Sequence, residues 1–322
     1  MSVKQKTLEV LENHRGEYIS GGELASRLQV SRNAVWKAIK SLEQEGYAID
    51  AVKNRGYRLA EYNDILSEQS IQKYLSDENG IFQLQVEKSV ISTNELVKQQ
   101  AFQGAKEGLV VIAEEQTCGK EKSGRVFYSP KGTGIYMSIL LRPDVKVEQA
   151  LNITTAAAVA VARSIEVVSS RKAEIMWVND IYCDNKKVCG ILTEASCNIE
   201  TSKLDYVVLG IGIHVKMPER GLPRGLENET DCVFNQTETD VRSQLAAEVL
   251  MQFWDFYLNL DRKSFLEEYK KRSCLIGKDV VIERRDGDRE GRAIAITDQC
   301  HLLVQLQDCS VEELSAGTVR LK

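Results

Sequence analysis

EIMWVNDIYCDNKKVCGILTEAS, residues 174–196, reads as consecutive strands, with Asp184-Asn185 as the turn between two of them. Upstream, VEQALNITTAAAVAVARSIEVV (147–168) is an alanine-rich helix whose small residues permit close packing. Further upstream, GLVVIAEEQ (108–116) and GIYMSILLRP (134–143) read as strands on either side of a glycine- and cation-bearing loop. Downstream, LDYVVLGIGIHVKM (204–217) is another apolar strand, with Gly210 and Gly212 admitting a close neighbour to its backbone. Helical residues follow from about Val241 to Lys271, carrying Leu245, Val249, Phe253 and Phe256 at helical spacing. The sum is a mixed sheet with helices, an α+β enzyme-like core beginning near residue 66.

The loop between the first two strands, TCGKEKSGRVFYSPKGTG (117–134), interleaves glycines with Lys and Arg, as a phosphate-holding loop does. Glu121 is the residue such a loop should avoid.

The chain has 322 residues, which suggests two or three domains. An apolar content of 43% and a charged content of 28% fit a soluble globular protein. Four prolines and the absence of low-complexity tracts argue against long disordered linkers. The opening MSVKQKTLEVLENH reads as a polar amphipathic helix and not a signal peptide, and no apolar run reaches membrane-spanning length. A cytoplasmic protein with no membrane partner is expected. The eight cysteines form no CxxC pair and the three histidines are far apart, so no metal site is expected and a reduced compartment is the simpler reading. A net charge of −5 disfavours a protein that coats nucleic acid, yet leaves room for one basic surface.

Such a surface is written into the first sixty residues. YISGGELASRLQVSRNAVWKAIKSLEQEGYAIDAVKNRGYRLAEY (18–62) reads as helix, turn, helix, hairpin. Leu24 and Leu28 mark one buried face, Val30 fills the turn, and Ser31 caps a helix with the apolar stripe Val35, Ile39 and Leu42. The other side carries Asn33, Trp36, Lys37 and Lys40, with Arg32 in the first turn. An apolar back and a basic, hydrogen-bonding front suit a major-groove recognition helix. The hairpin turn adds Lys53, Arg55 and Arg58 for phosphates. The plainer alternative is an interaction module with a solvated charged face. A single unit reads few base pairs, so DNA binding implies a dimer on two half-sites.

The ordered segments STNE (92–95), EEQTCGKEKSGR (114–125), WVNDIY (177–182), KKVCGILTE (186–194) and GIGIHV (210–215) resemble the motifs of biotin protein ligases. The winged helix before them resembles the bifunctional members that also repress biotin genes. The tail from Leu275 is similar to their small SH3-like β-barrel. The resemblance implies three domains: a winged helix-turn-helix at 1–63, a class II synthetase-like ligase domain at 66–271 and the barrel at 274–322.

The implied reaction joins biotin to ATP as biotinyl-5′-AMP, with Mg2+ accompanying ATP. A lysine of biotin carboxyl carrier protein, from acetyl-CoA carboxylase or another biotin-dependent enzyme, then takes the biotin. Operator DNA of biotin genes and a ligand-promoted homodimer are implied partners. Lys187 and Arg125 are the implied catalytic residues. Ser92, Thr93, Asn94, Gln116, Gly119, Lys120, Glu121, Lys122, Trp177, Lys187 and Gly190 are implied at biotin. Lys120, Lys122, Arg125, Asn179, Asp180 and His214 are implied at ATP. The DNA set is Ser31, Arg32, Asn33, Trp36, Lys37, Lys40, Lys53 and Arg55.

Plainer readings stand beside these. Ser92–Asn94 also suit a helix cap, Trp177 is core or pocket wall, and Asp180 orients a nucleotide hydroxyl, a cation or only a turn. The sequence departs from the family at three places. Gly119-Lys120-Glu121-Lys122-Ser123-Gly124-Arg125 stands where G-R-G-R-x-G-R is usual, losing arginine's planar fork. Met176 and Val178 replace a lysine and a proline. His214 replaces an asparagine and either bonds the nucleotide or is a buried, satisfied side chain. The altered loop implies looser retention of biotinyl-AMP, unless Glu121 pairs with Lys120 or Lys122. Two alternatives remain: a regulator that senses biotin or its adenylate with weakened ligation, and a lipoate-ligase-like enzyme.

Overall fold

The computed structural model describes residues 1–76, 80–198, 200, 202–235, 240–284 and 287–322. It divides into two compact units, residues 1–78 with 236–248, and residues 79–235 with 249–322.

The first unit opens with α1 (Val3–Asn13), α2 (Gly21–Leu28) and α3 (Arg32–Gln44), followed by the hairpin β1 (Ile49–Val52) and β2 (Gly56–Leu59). The caps are local chemistry: the side chains of Ser2, Ser20 and Ser31 each accept a backbone N–H from the first turn of the helix they precede. Leu11, Leu24, Val35, Ile39 and Leu59 are wholly buried where the three helices meet the hairpin. Leu28 and Val30 are only half-buried. A short α4 (Glu68–Gln72) completes the helices before residue 77. Residues 240–248 carry Asp240 and Arg242 into this unit, where Arg15 meets Glu12 and Asp240, and Arg242 meets Asp64.

The second unit is built on a seven-stranded sheet. In chain order its elements are β3 (Gln83–Glu87), α5 (Thr93–Phe102), β4 (Leu109–Ala113), the small pair β5 (Gly119–Lys120) and β6 (Val126–Phe127), then β7 (Gly134–Leu141). There follow α6 (Ala150–Ser169), β8 (Glu174–Met176), β9 (Asp180–Cys183), β10 (Lys186–Asn198) and β11 (Lys203–His214). The sheet order is β3-β4-β7-β11-β10-β9-β8, parallel between β3 and β4 and antiparallel elsewhere. The strands expected in residues 174–196 are β8, β9 and β10. Asp184 and Asn185 make the turn between the last two with φ of 50° and 64°, the left-handed pair that matches strand twist in a two-residue hairpin. Val97 and Ala101 of α5 pack on Val111, Leu140 and Val208 of the sheet.

Two expectations are corrected. Val147–Ser169 is long and apolar enough to cross a membrane by length and composition, with a mean hydropathy of 1.4. Asn152, Thr154 and Thr155 interrupt the apolar run but not the average, and 67% of the qualifying window is buried inside the fold as a core helix. The helical stretch expected from Val241 to Lys271 is interrupted. It forms α7 (Val241–Leu258), a 3-10 turn (Leu260–Arg262) and α8 (Leu266–Arg272), with Lys263 at φ 49° turning the chain between them. Leu245, Val249, Phe253 and Phe256 of α7 are all buried.

The chain ends in five antiparallel strands, β12 (Asp279–Glu283), β13 (Arg289–Ile296), β14 (Leu302–Leu306), β15 (Val311–Leu314) and β16 (Thr318–Leu321), ordered β15-β14-β13-β12-β16. The expected barrel is thus a small antiparallel sheet domain.

Candidate functional site

A cavity of about 610 Å³ opens in the second unit, and residues from every motif segment quoted above line it. Its centre is Lys187. The β9–β10 register pairs Lys187 with Tyr182 and Gly190 with Asp180, and it shifts between Lys187 and Cys189. Such a bulge re-aims a side chain at the edge of a site. The backbone of Lys187 is also pinned from its other side, donating to the Glu229 carbonyl and accepting from Asp231. Its ammonium lies 2.9 Å from Glu121 Oε1 and 3.0 Å from Asp180 Oδ2. Burial works against the charge, but the Asp180 and Glu121 carboxylates outweigh it and raise the pKa, so Lys187 stays an ammonium.

Glu121 therefore pairs with neither of its neighbours. Lys120 bonds Glu95, Lys122 donates to the Gly317 carbonyl at 2.9 Å, and Arg125 is 69% exposed, 3.9 Å from Glu283. Glu283, Gly317 and Arg320 of the terminal sheet line the same cavity.

The other candidates divide by whether their polar atoms are already engaged. Gln116 Oε1 accepts from the Thr93 N–H at 2.9 Å and from its hydroxyl at 3.1 Å, and Gln116 Nε2 donates to Ser129 Oγ. Asn94 Oδ1 lies 2.5 Å from the Ser138 hydroxyl, while its Nδ2 donates to Glu194 at 2.8 Å. Ser92 occupies the N-cap position of α5 without a side-chain cap bond. Trp177 is both core and wall: it is 3% exposed, donates Nε1 to the Cys300 carbonyl at 2.9 Å, and lines the cavity. Asn179 braces the hairpin by donating to the Ile191 carbonyl at 2.6 Å. Gly119 alone of the ligase candidates does not line the cavity. It is buried on β5, where a Cβ would sit 2.6 Å from the Phe127 carbonyl oxygen.

His214 is buried and stacks on Phe127, with ring centroids 4.6 Å apart. Burial, then the nearby Lys187 charge, push its pKa down to about 4, so the ring is neutral at pH 7. The neighbours admitted by the strand glycines are the protein's own side chains. A Cβ on Gly210 would sit 2.2 Å from Asn94 Oδ1, and one on Gly212 would sit 2.6 Å from the Phe127 ring. The Lys187 stem and Phe127 also lie against Gly190.

Sequence reasoning missed Phe127, Tyr182, Ser138 and the terminal-sheet residues. Phe127 lies inside the quoted loop, two residues after Arg125, as one of its two aromatic residues. Glu283, Gly317 and Arg320 carry no sequence signal, because only tertiary packing brings them to the cavity. Among the described residues, no group of three or more His, Cys, Asp or Glu side chains is placed to hold a metal.

In the first unit, Arg32, Asn33, Trp36 and Lys37 are exposed along one side of α3. Ser31 accepts from Ala34 N–H, so its hydroxyl is engaged in the cap, and Lys40 pairs with Glu43 at 2.6 Å. Lys53 and Arg55 are exposed at the hairpin turn, the Arg55 guanidinium lying 4.2 Å over the Tyr18 ring. Arg58 pairs with Asp50.

Comparison with known proteins agrees with both units. Three family models match: an HTH domain over residues 3–58, the biotin/lipoate A/B protein ligase family over 86–214 and the biotin protein ligase C-terminal domain over 275–322. The chain is 31% identical to the bifunctional ligase/repressor BirA of Bacillus spizizenii, over 99% of each chain. It is 26% identical to BirA of Escherichia coli, over 100% of this chain and 98% of that one. A biotin protein ligase from Aquifex aeolicus, solved with biotin and ATP, superposes with a TM-score of 0.62 over 74% of this chain and 99% of that one. At 23% identity, that likeness concerns the fold alone.

Proposed function

The chain belongs to the bifunctional ligase/repressor group of the biotin protein ligases, and on that premise we propose that it activates biotin with ATP, biotinylates a carrier protein and represses biotin genes. What supports the chemistry most is the convergence of distant loop, strand and turn residues on one cavity around the held ammonium of Lys187.

A biotin carboxylate oxygen attacks the α-phosphorus of ATP, the bond to the β-phosphate oxygen breaks, and pyrophosphate leaves. The ε-amine of an acceptor lysine then attacks the anhydride carbonyl, forming an amide and releasing AMP. Neither step needs a nucleophile from this chain, so its part is positioning and charge. Lys187 faces the carboxylate and the reacting phosphate. Arg125, Lys120 and Lys122 attend the phosphates, and Mg2+ enters with ATP as part of the substrate. Ser92, Thr93, Asn94, Gln116 and Gly190, with Trp177 as wall, form the biotin end. Asn179, Asp180 and neutral His214 form the nucleotide end.

Biotin carboxyl carrier protein is the proposed acceptor. The exposed side of α3 and the hairpin turn would meet operator DNA, with a ligand-promoted homodimer supplying two half-sites in the cytoplasm. A sensor with weakened ligation is a second reading, favoured by the carboxylate of Glu121 on Lys187. Biotin-dependent exchange of pyrophosphate into ATP, followed by labelling of a carrier protein, decides between them. The ligase reading expects both. Exchange without labelling favours the sensor, and no exchange with biotin overturns the ligase.

A further inference from the structure

The ammonium of Lys187 is held by two carboxylates at the place where an anionic ligand must enter. The two carboxylates are not equivalent. Asp180 stands on β9, inside the hairpin that carries Lys187. Glu121 stands on the loop over the cavity, 66 residues away in sequence, and is bonded to the strands around Lys187 through this contact. The cations flanking it are engaged elsewhere, Lys120 with Glu95 and Lys122 with the Gly317 carbonyl. A glutamate among loop cations would satisfy its charge most cheaply with its neighbours; here it reaches past them to the cavity lysine.

We propose that Glu121 is an internal carboxylate ligand for Lys187, which the carboxylate of an acidic substrate must replace, so that loop release and acid binding are one exchange. The inference rests on the reading that this cavity takes biotin. One carboxylate leaves the ammonium as another arrives, so the charge around Lys187 is conserved through the exchange. Binding of an acid is weakened by the fraction of molecules in which Glu121 holds the lysine. A neutral analogue has no claim on the ammonium and does not meet this competition.

The experiment is calorimetric titration of the full chain with biotin and with biotinamide, its neutral primary amide, in the parent and in Glu121→Gln. Removing the charge should tighten biotin about fivefold, the scale of a partly exposed ion pair, and leave biotinamide unchanged. Glu121→Ala should give the same pattern, which excludes an effect of the new amide and covers a failure of the first variant to fold. An equal change for both ligands would mean that the loop has merely loosened, and it overturns the proposal. So does an unchanged affinity for biotin, while leaving the biotin site standing. If the parent binds neither ligand, the biotin reading falls and takes this inference with it.

Discussion

Each unit of the protein holds an arginine or lysine between two carboxylates, and the two clusters differ in their access to water. In the first unit, Arg15 Nη2 lies 2.5 Å from Glu12 and 2.9 Å from Asp240, with the three side chains 7%, 1% and 3% exposed. Among the described residues, Glu12 Oε1 has no hydrogen-bond partner. In the second unit, Lys187, Glu121 and Asp180 keep 17%, 24% and 26% exposure at the wall of a cavity. Similar charges thus have different freedom. A closed cluster has no replacement ligand and is committed to the fold. An open one can trade a partner for a solute, which makes it a place for chemistry.

Breaking each cluster at its cation should separate the two roles. Lys187→Met is expected to lower biotin-dependent pyrophosphate exchange by about 10³-fold, the scale of losing one preorganised charge contact to a reacting group. Its urea unfolding should change little, because water in the cavity takes up Glu121 and Asp180. Arg15→Met should do the reverse, costing the first unit about 3–5 kcal/mol in urea, as expected when a buried charge loses its partner. Exchange activity measured below the unfolding transition should survive. Equal losses of stability in the two variants would break the comparison.

Acid titration sharpens it. Burial and Lys187 hold folded His214 at about 4, below its ordinary 6.5, so between those values the unfolded chain binds the extra proton. The stability linked to His214 is complete above pH 6.5 and falls by roughly 3 kcal/mol as pH drops to 4. Burial raises folded Asp240 from 3.8 to about 7, against the pull of Arg15, so here the folded chain binds the extra proton. Its contribution is complete below pH 3.8 and is lost as pH rises through 7. Denaturation across pH 4–7 should therefore show opposite slopes relieved by His214→Gln and by Asp240→Asn, each acting on its own unit. The smallest effect belongs to the half-buried surface pair Lys4–Glu45 at 2.6 Å, where Lys4→Met should move stability by no more than about 1 kcal/mol.

The sequence was most legible where structure is local. Serine caps, the Asp184-Asn185 turn and the alternation of strands and helices were all readable from neighbouring residues. The gathering of the motif segments on one site was implied by their resemblance to a known family and not by the residues beside each one. What escaped depends on distant pairing. Nothing near Glu121 indicates that it would choose Lys187 over the adjacent Lys120 and Lys122. Nothing near Glu12 or Arg15 points to Asp240. The broken helix after Leu258 was hidden because Leu260 and Phe265 keep an apolar rhythm through the turn, where backbone conformation and not hydrophobicity ends the helix.

The Phe127 ring lies against Gly190 and over Gly212, on two strands far from it in sequence. A side chain at residue 212 meets the ring first, and a smaller residue at 127 relieves that contact. The order of substitution therefore matters: a lineage can enlarge 212 after trimming 127, but not before. Gly212 and Phe127 form one unit of inheritance, and a survey that scores each position alone will assign to two sites a constraint that belongs to one ring.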